Sequence, residues 1–208
     1  MGVADDLGLA AEDGAVLAAA RTRYGEPHRR YHDWSHVRAL ARGFADHRAL
    51  FTDGRAAALA ILHHDAVYEG RPGEDEAASA DLLVRERTGR EAPGTLALAE
   101  AMVRATAGHA VPDGLRGADA ADCAGFLDLD LGILAAPPGA YDRYAAGVRA
   151  EYAHVPDAAW RAGRARVLSG FLARERLYLT GRFHAAWDGA ARANLRRELA
   201  GLQDTSGD

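Results

Sequence analysis

An all-α fold is predicted by two observations. Apolar residues recur at i, i+3, i+4 and i+7 along the 208 residues, and no run of β-branched residues alternates with polar ones. A hydrophobic content of 49% in a chain of this length suits one substantial core better than two, so a single domain is expected over residues 1–208, with its core about 25–180.

The elements follow in order. A first helix is expected over Ala10–Tyr24, stopped by Gly25-Glu26-Pro27. Ser35 is placed to cap a second running through Phe51, with His36, Leu40 and Phe44 along one side. Asp53 caps a third that passes through Ala57 and Ile61 into His64 and Asp65. Glu74 to about Thr88, closed by Gly89, and Thr95 to about Ala107, closed by Gly108, make the fourth and fifth. After a polar loop from His109 to about Gly117, Ala118–Ala135 reads as a helix ended by Pro137-Pro138. Tyr141–His154 stops ahead of Pro156, and about Asp157–Tyr178 ends near Gly181. Phe183–Leu199 completes about eight to nine helices. The tail Gln203–Asp208 is expected to fray.

Charge and composition narrow the function. A formal charge of -5 gives no field that gathers polyanions, so neither polymeric nucleic acid nor an acidic membrane is an expected partner. The opening MGVADDLGLAAEDG lacks the basic-then-apolar order of a secretory signal, and no stretch nears the roughly 20 apolar residues of a membrane span. Cys123 has no mate for an internal disulfide, and the cytoplasm is the expected address. All 25 Lys+Arg residues are Arg, which excludes lysine Schiff bases and Walker-type phosphate loops.

Chemistry is sought where polar residues interrupt apolar faces. Ala57, Ile61, His64, Asp65 and Tyr68 stand at helical spacing on one side of the third helix, and the first two make that side face the core. An imidazole and a carboxylate buried together need a partner, and a divalent cation serves both. In YHDWSH, His32 and His36 lie four apart, with His36 the better ligand because it opens a helix of clear apolar side. In FLDLDLGIL, Asp128 and Asp130 lie about 200° apart on a helical wheel, and Asp130 shares its side with Phe126, Ile133 and Leu134. It is therefore expected to be the buried one, held by a cation or by an Arg. His36, His64, Asp65 and Asp130 together make an N2O2 set that suits manganese, iron, cobalt, nickel or zinc better than calcium.

The order His36, then His64-Asp65, then Asp130 resembles the H…HD…D signature of the HD superfamily of metal-dependent phosphohydrolases, whose fold is an all-α bundle. The strings RRYHDWSHV, HHDAVYEG, EDEAASA, DLDLGIL, VRAEYAHVP and VLSGFLARERLYLT are similar to a subgroup of small bacterial predicted HD phosphohydrolases, over about Arg29–Thr180. The resemblance implies that His36, His64, Asp65 and Asp130 ligate one divalent ion (Mn, Fe, Co, Ni, Zn or Mg), with a second ion possible. It implies hydrolysis of a nucleotide or similar small phosphorylated metabolite by a metal-bound water, with Asp65 also holding that water. Glu76 or His109 would take the proton; His109 is alternatively an extra ligand, and Glu76 alternatively a solvated residue of an acidic first turn. Arg149 would clamp the phosphate or pair with Glu151 or another carboxylate, and His32 and Tyr68 would contact substrate. Two other readings stand beside it: a di-iron HD-type oxygenase drawing ligands from His109, Glu76 and His32, and a non-catalytic, metal-stabilised binding module.

Overall fold

The computed structural model describes residues 2–204, and among them the chain is all-helical, with ten α-helices and no strand. The helices are α1 (Val3–Leu7), α2 (Gly14–Arg23), α3 (Trp34–Asp46), α4 (Gly54–His63), α5 (Glu74–Arg87), α6 (Pro93–Ala105), α7 (Gly117–Asp130), α8 (Pro138–Glu151), α9 (Asp157–Ala173) and α10 (Gly181–Asp204). The chain divides into two compact units, one ending at Leu129 and the other beginning at Asp130. No helix among the described residues is long and apolar enough to cross a membrane.

The first unit is organised around α4. Every residue from Ala56 to His63 is buried, as expected of a helix apolar on all sides. Its alanines let α6, α3, α5 and α2 approach closely. Asp53 caps α4 as the sequence predicts, accepting the N–H of Ala56 at 2.9 Å and the hydroxyl of Thr95 at 2.8 Å. Just ahead of it, the buried Asp122 carboxylate accepts the N–H groups of Thr52 and Asp53 at 2.9 and 2.7 Å. Phe51 lies 3.2 Å from where a Cβ on Gly125 would stand, so the glycine lets α7 pass this ring without displacing it by a few tenths of an ångström. Cys123 is fully buried, and burial pushes its thiol up to about 12, in keeping with a small inert hydrophobe.

Several boundaries differ from expectation. The short α1, ended by Gly8 in the left-handed region (φ 64), precedes the first predicted helix. That helix itself opens as a 3-10 turn, Ala11–Asp13. Asp33, not Ser35, caps α3: its carboxylate accepts both the N–H and the hydroxyl of Ser35, at 2.7 and 2.6 Å. The predicted second helix breaks at His47, and the 3-10 turn Arg48–Leu50 carries the chain to Phe51. Likewise α7 tightens into a 3-10 segment, Leu131–Ala135.

In the second unit, α10 packs along the Leu131–Ala135 segment and against α9. Asn194 donates to the carbonyls of Leu134 and Ala136 at 2.9 and 2.8 Å, and Tyr178 to that of Leu131 at 3.1 Å. Helix α9 stops at Ala173, short of the predicted Tyr178. The Arg192 guanidinium takes the carbonyls of Leu172, Arg174 and Glu175, supplying the partners a helix end lacks. Gln203 and Asp204 continue α10; residues 205–208 of the predicted frayed tail lie outside the described residues.

Candidate metal centre

Two helix ends in the first unit bring the site together. His36 stands in the first turn of α3, on the side that buries Val37, Leu40 and Phe44. His64 is the C-terminal cap of α4, its N–H bonded to Ala60 O at 2.9 Å. His64 keeps helical dihedrals (φ -55, ψ -38), but Asp65 already belongs to the turn that follows and Tyr68 lies past that turn, so the predicted helical face does not extend to Tyr68.

The donor atoms nevertheless converge. His36 Nε2 lies 3.0 Å from His64 Nε2 and 3.8 Å from Asp65 Oδ2, and His64 Nε2 lies 3.1 Å from the same oxygen. Both imidazoles are buried and Asp65 is partly so. The tautomer of His64 follows from its other nitrogen, for Nδ1 is 3.1 Å from the carbonyl of Ile61, which only accepts. Nδ1 thus carries the proton, and Nε2 turns a lone pair toward His36 and Asp65. Lone pairs this close repel unless something positive lies among them. A proton serves one pair of these atoms, whereas a divalent cation serves all three. A point equidistant from the three donor atoms is about 2 Å from each, the bond length of a zinc-like ion to nitrogen or carboxylate oxygen. The residues fit a small divalent ion. Burial opposes charge on Asp65, but His64, His32 and His36, when protonated, outweigh it and hold its carboxyl well below the usual carboxylate range; with neutral imidazoles that positive charge falls to a cation.

The other predicted site residues fall out as follows. His32 and Tyr68 flank the cluster, both half-buried. The His32 ring is 5.9 Å from that of His36 and 4.5 Å from that of Tyr68. Glu76 is engaged in the start of α5, where it accepts the N–H of Gly73 at 2.5 Å. His109 is half-buried after α6 with a left-handed backbone (φ 45), a conformation histidine enters more readily than most residues. Asp130 ends α7 and is half-buried, whereas Asp128 is the carboxylate that is 1% exposed, the reverse of the wheel-based expectation. The wheel presumes one apolar side. Burial from Phe126 to Leu129 is continuous, leaving no polar side for Asp128 to take. In the second unit, Arg149 pairs with Asp157 at 2.5 Å, not Glu151, and donates to the carbonyl of Tyr152 at 2.7 Å.

Four residues that the sequence reading did not single out support the ligand-bearing backbone. Tyr24, buried at the end of α2, accepts the N–H of Asp65 through its hydroxyl at 3.0 Å. Arg29 donates to the carbonyls of Asp65 and Ala66 at 2.7 and 3.3 Å. Ser79 accepts the N–H of Val67 at 3.0 Å, and Asp75 accepts those of Glu69 and Arg71 at 2.8 Å each. The EDEAASA string thus fastens the loop after Asp65 to α5. The available signal was weak, namely that Arg29 and Tyr24 lie in or beside the strings carrying the resemblance. No family model, curated protein or solved structure matches the chain.

Proposed function

We propose that the protein is a cytoplasmic, metal-dependent phosphohydrolase of the HD type, releasing phosphate from a nucleotide or similar small phosphorylated metabolite. One observation carries the reading: two imidazole nitrogens and a carboxylate oxygen meet at 3.0 to 3.8 Å. A divalent ion, when bound, supplies an acidified water and a Lewis acid for a phosphoryl oxygen. His36 and His64 hold that ion as neutral ligands, while Asp65 balances part of its charge and orients the water. His32 and Tyr68, beside the cluster, contact substrate. His109 accepts the proton, since Glu76 is occupied by its helix cap.

The test is to load the protein with Mn, Co, Ni or Mg, measure metal content, and assay phosphate release from a panel of nucleotides. About one ion per chain is expected, with His64→Ala losing the ion and hydrolysis falling by about 100-fold or more. Absence of turnover with every substrate, together with unchanged metal content in His64→Ala, rejects the proposal. Two irons per chain with an oxygen-dependent spectrum would favour an oxygenase, and tight ligand binding without product a binding module.

A further inference from the structure

We infer that Arg29 is a positioning residue of this metal centre, its guanidinium holding the two ligand-bearing segments so that His36, His64 and Asp65 converge; the inference rests on the metal-centre reading above. The Arg29 side chain is 0% exposed. Its Nε donates to Glu26 Oε2 at 3.0 Å. Nη1 donates to the carbonyls of His32 at 3.0 Å and Asp65 at 2.7 Å, and Nη2 to that of Ala66 at 3.3 Å. Its charged carbon lies 5.0 Å from the ring centre of Tyr24 and 5.4 Å from that of Tyr68.

The reasoning turns on where helical order stops. Helix α4 ends at His63 and α3 begins at Trp34, so neither the Asp65-Ala66 turn nor the segment through His32 is fixed by helical hydrogen bonds. A single guanidinium bonds both. Its planar fork aims its N–H groups at set angles, so the His32 and Asp65 carbonyls, both bonded to Nη1, are held at a spacing set by the two N–H groups of one nitrogen. A fully buried cation needs an anion, and Glu26 provides it, leaving the remaining N–H groups for the carbonyls. Groups that orient metal ligands in this way act on the metal through their geometry without touching it. A lysine would retain the charge, but its single nitrogen could not hold Glu26 and the carbonyls of His32, Asp65 and Ala66 at once.

The experiment is a Co(II) titration of the full chain, read by visible absorption and by calorimetry, with folding checked by circular dichroism. Arg29→Lys is expected to weaken Co(II) binding by about tenfold or more and to change the absorption band. Arg55→Lys, which loosens another part-buried arginine network, is expected to lower stability while leaving affinity and spectrum unchanged. A folded Arg29→Lys with wild-type affinity and spectrum overturns the inference, as does an Arg55→Lys that weakens binding equally. Should Arg29→Lys not fold, Glu26→Ala decides, because Glu26 is 43% exposed and its truncation removes the acceptor and the counter-charge that anchor Nε. Weaker Co(II) binding in that variant supports the role, and unchanged binding overturns it. A wild-type protein that takes up no cobalt is a separate failure, of the metal centre itself.

Discussion

Glu76 occupies the third position of α5, and its carboxylate reaches back to the N–H of Gly73, whose φ of 87 favours glycine. Glutamine can accept the same bond. Glu76→Gln is therefore expected to keep stability and phosphate release close to wild type, whereas Glu76→Ala should lose about 0.5–1 kcal/mol of stability. Urea denaturation and a steady-state assay check both. A hundredfold loss of turnover in a stable Glu76→Gln would return this residue to the proton-transfer role. At this scale the sequence was informative where a polar residue sat alone on an apolar side, which is why His36 and His64 could be named. It failed for Asp128 and Asp130, where a helix buried nearly all round offers no side to choose between. Arg29 and Tyr24 were illegible for another reason. They act on backbone groups 36 and 41 residues away, and backbone groups leave no mark in a residue pattern.

Helix ends position this centre more than helix faces do. His36 needs α3 to start at Trp34, and His64 needs α4 to end one residue earlier. Capping energies at these termini therefore bear on the site. Asp53 fixes the start of α4 with one carboxylate oxygen on Ala56 N and the other on Thr95 Oγ1, joining α4 to α6. Asp53→Ala is expected to cost about 1–2 kcal/mol, read as a lower urea midpoint with unchanged slope; a midpoint at the wild-type value would contradict the capping role. Most helices, and the Asp53 cap, could be read from periodicity and turn residues. The boundaries that moved did so where tertiary groups intervened. Arg192 takes the carbonyls that end α9, and the Asp33 carboxylate draws in Ser35 ahead of its own expected cap role. Helix α1 was missed because five residues are too few to establish a period.

At the scale of the molecule, the absence of lysine means that, histidines aside, the side-chain ion pairs among the described residues use a guanidinium, and one network of them sits in the first unit. Arg55 bonds Asp13 through both terminal nitrogens, at 2.7 and 2.6 Å, and Glu91 through Nε and Nη2, at 3.0 and 2.7 Å; Arg87 also bonds Glu91. The side chains of Asp13 and Glu91 are only 3% and 7% exposed, so they depend on these cations. The hydrogen bonds from Arg55 hold both carboxyls below their ordinary values, against burial, which pushes the other way. A lowered carboxyl in the folded state means that the unfolded chain binds more protons through the ordinary range near pH 4. The stability contributed by the network is therefore complete above that range and is lost as pH falls through the lowered folded values. Arg55→Met leaves Asp13 and Glu91 to share Arg87, 3.5 Å from Asp13, and, with Arg55 itself 32% exposed, is expected to cost about 2–3 kcal/mol at pH 7, below the cost of a buried charge left wholly unpaired. Protonation relieves that penalty, so the gap between wild type and Arg55→Met should narrow as pH drops below about 4. Urea unfolding of both proteins at pH 7, 5 and 3 measures it. A gap that stays constant across the three would mean that Arg55 contributes through packing of its methylenes and not through charge.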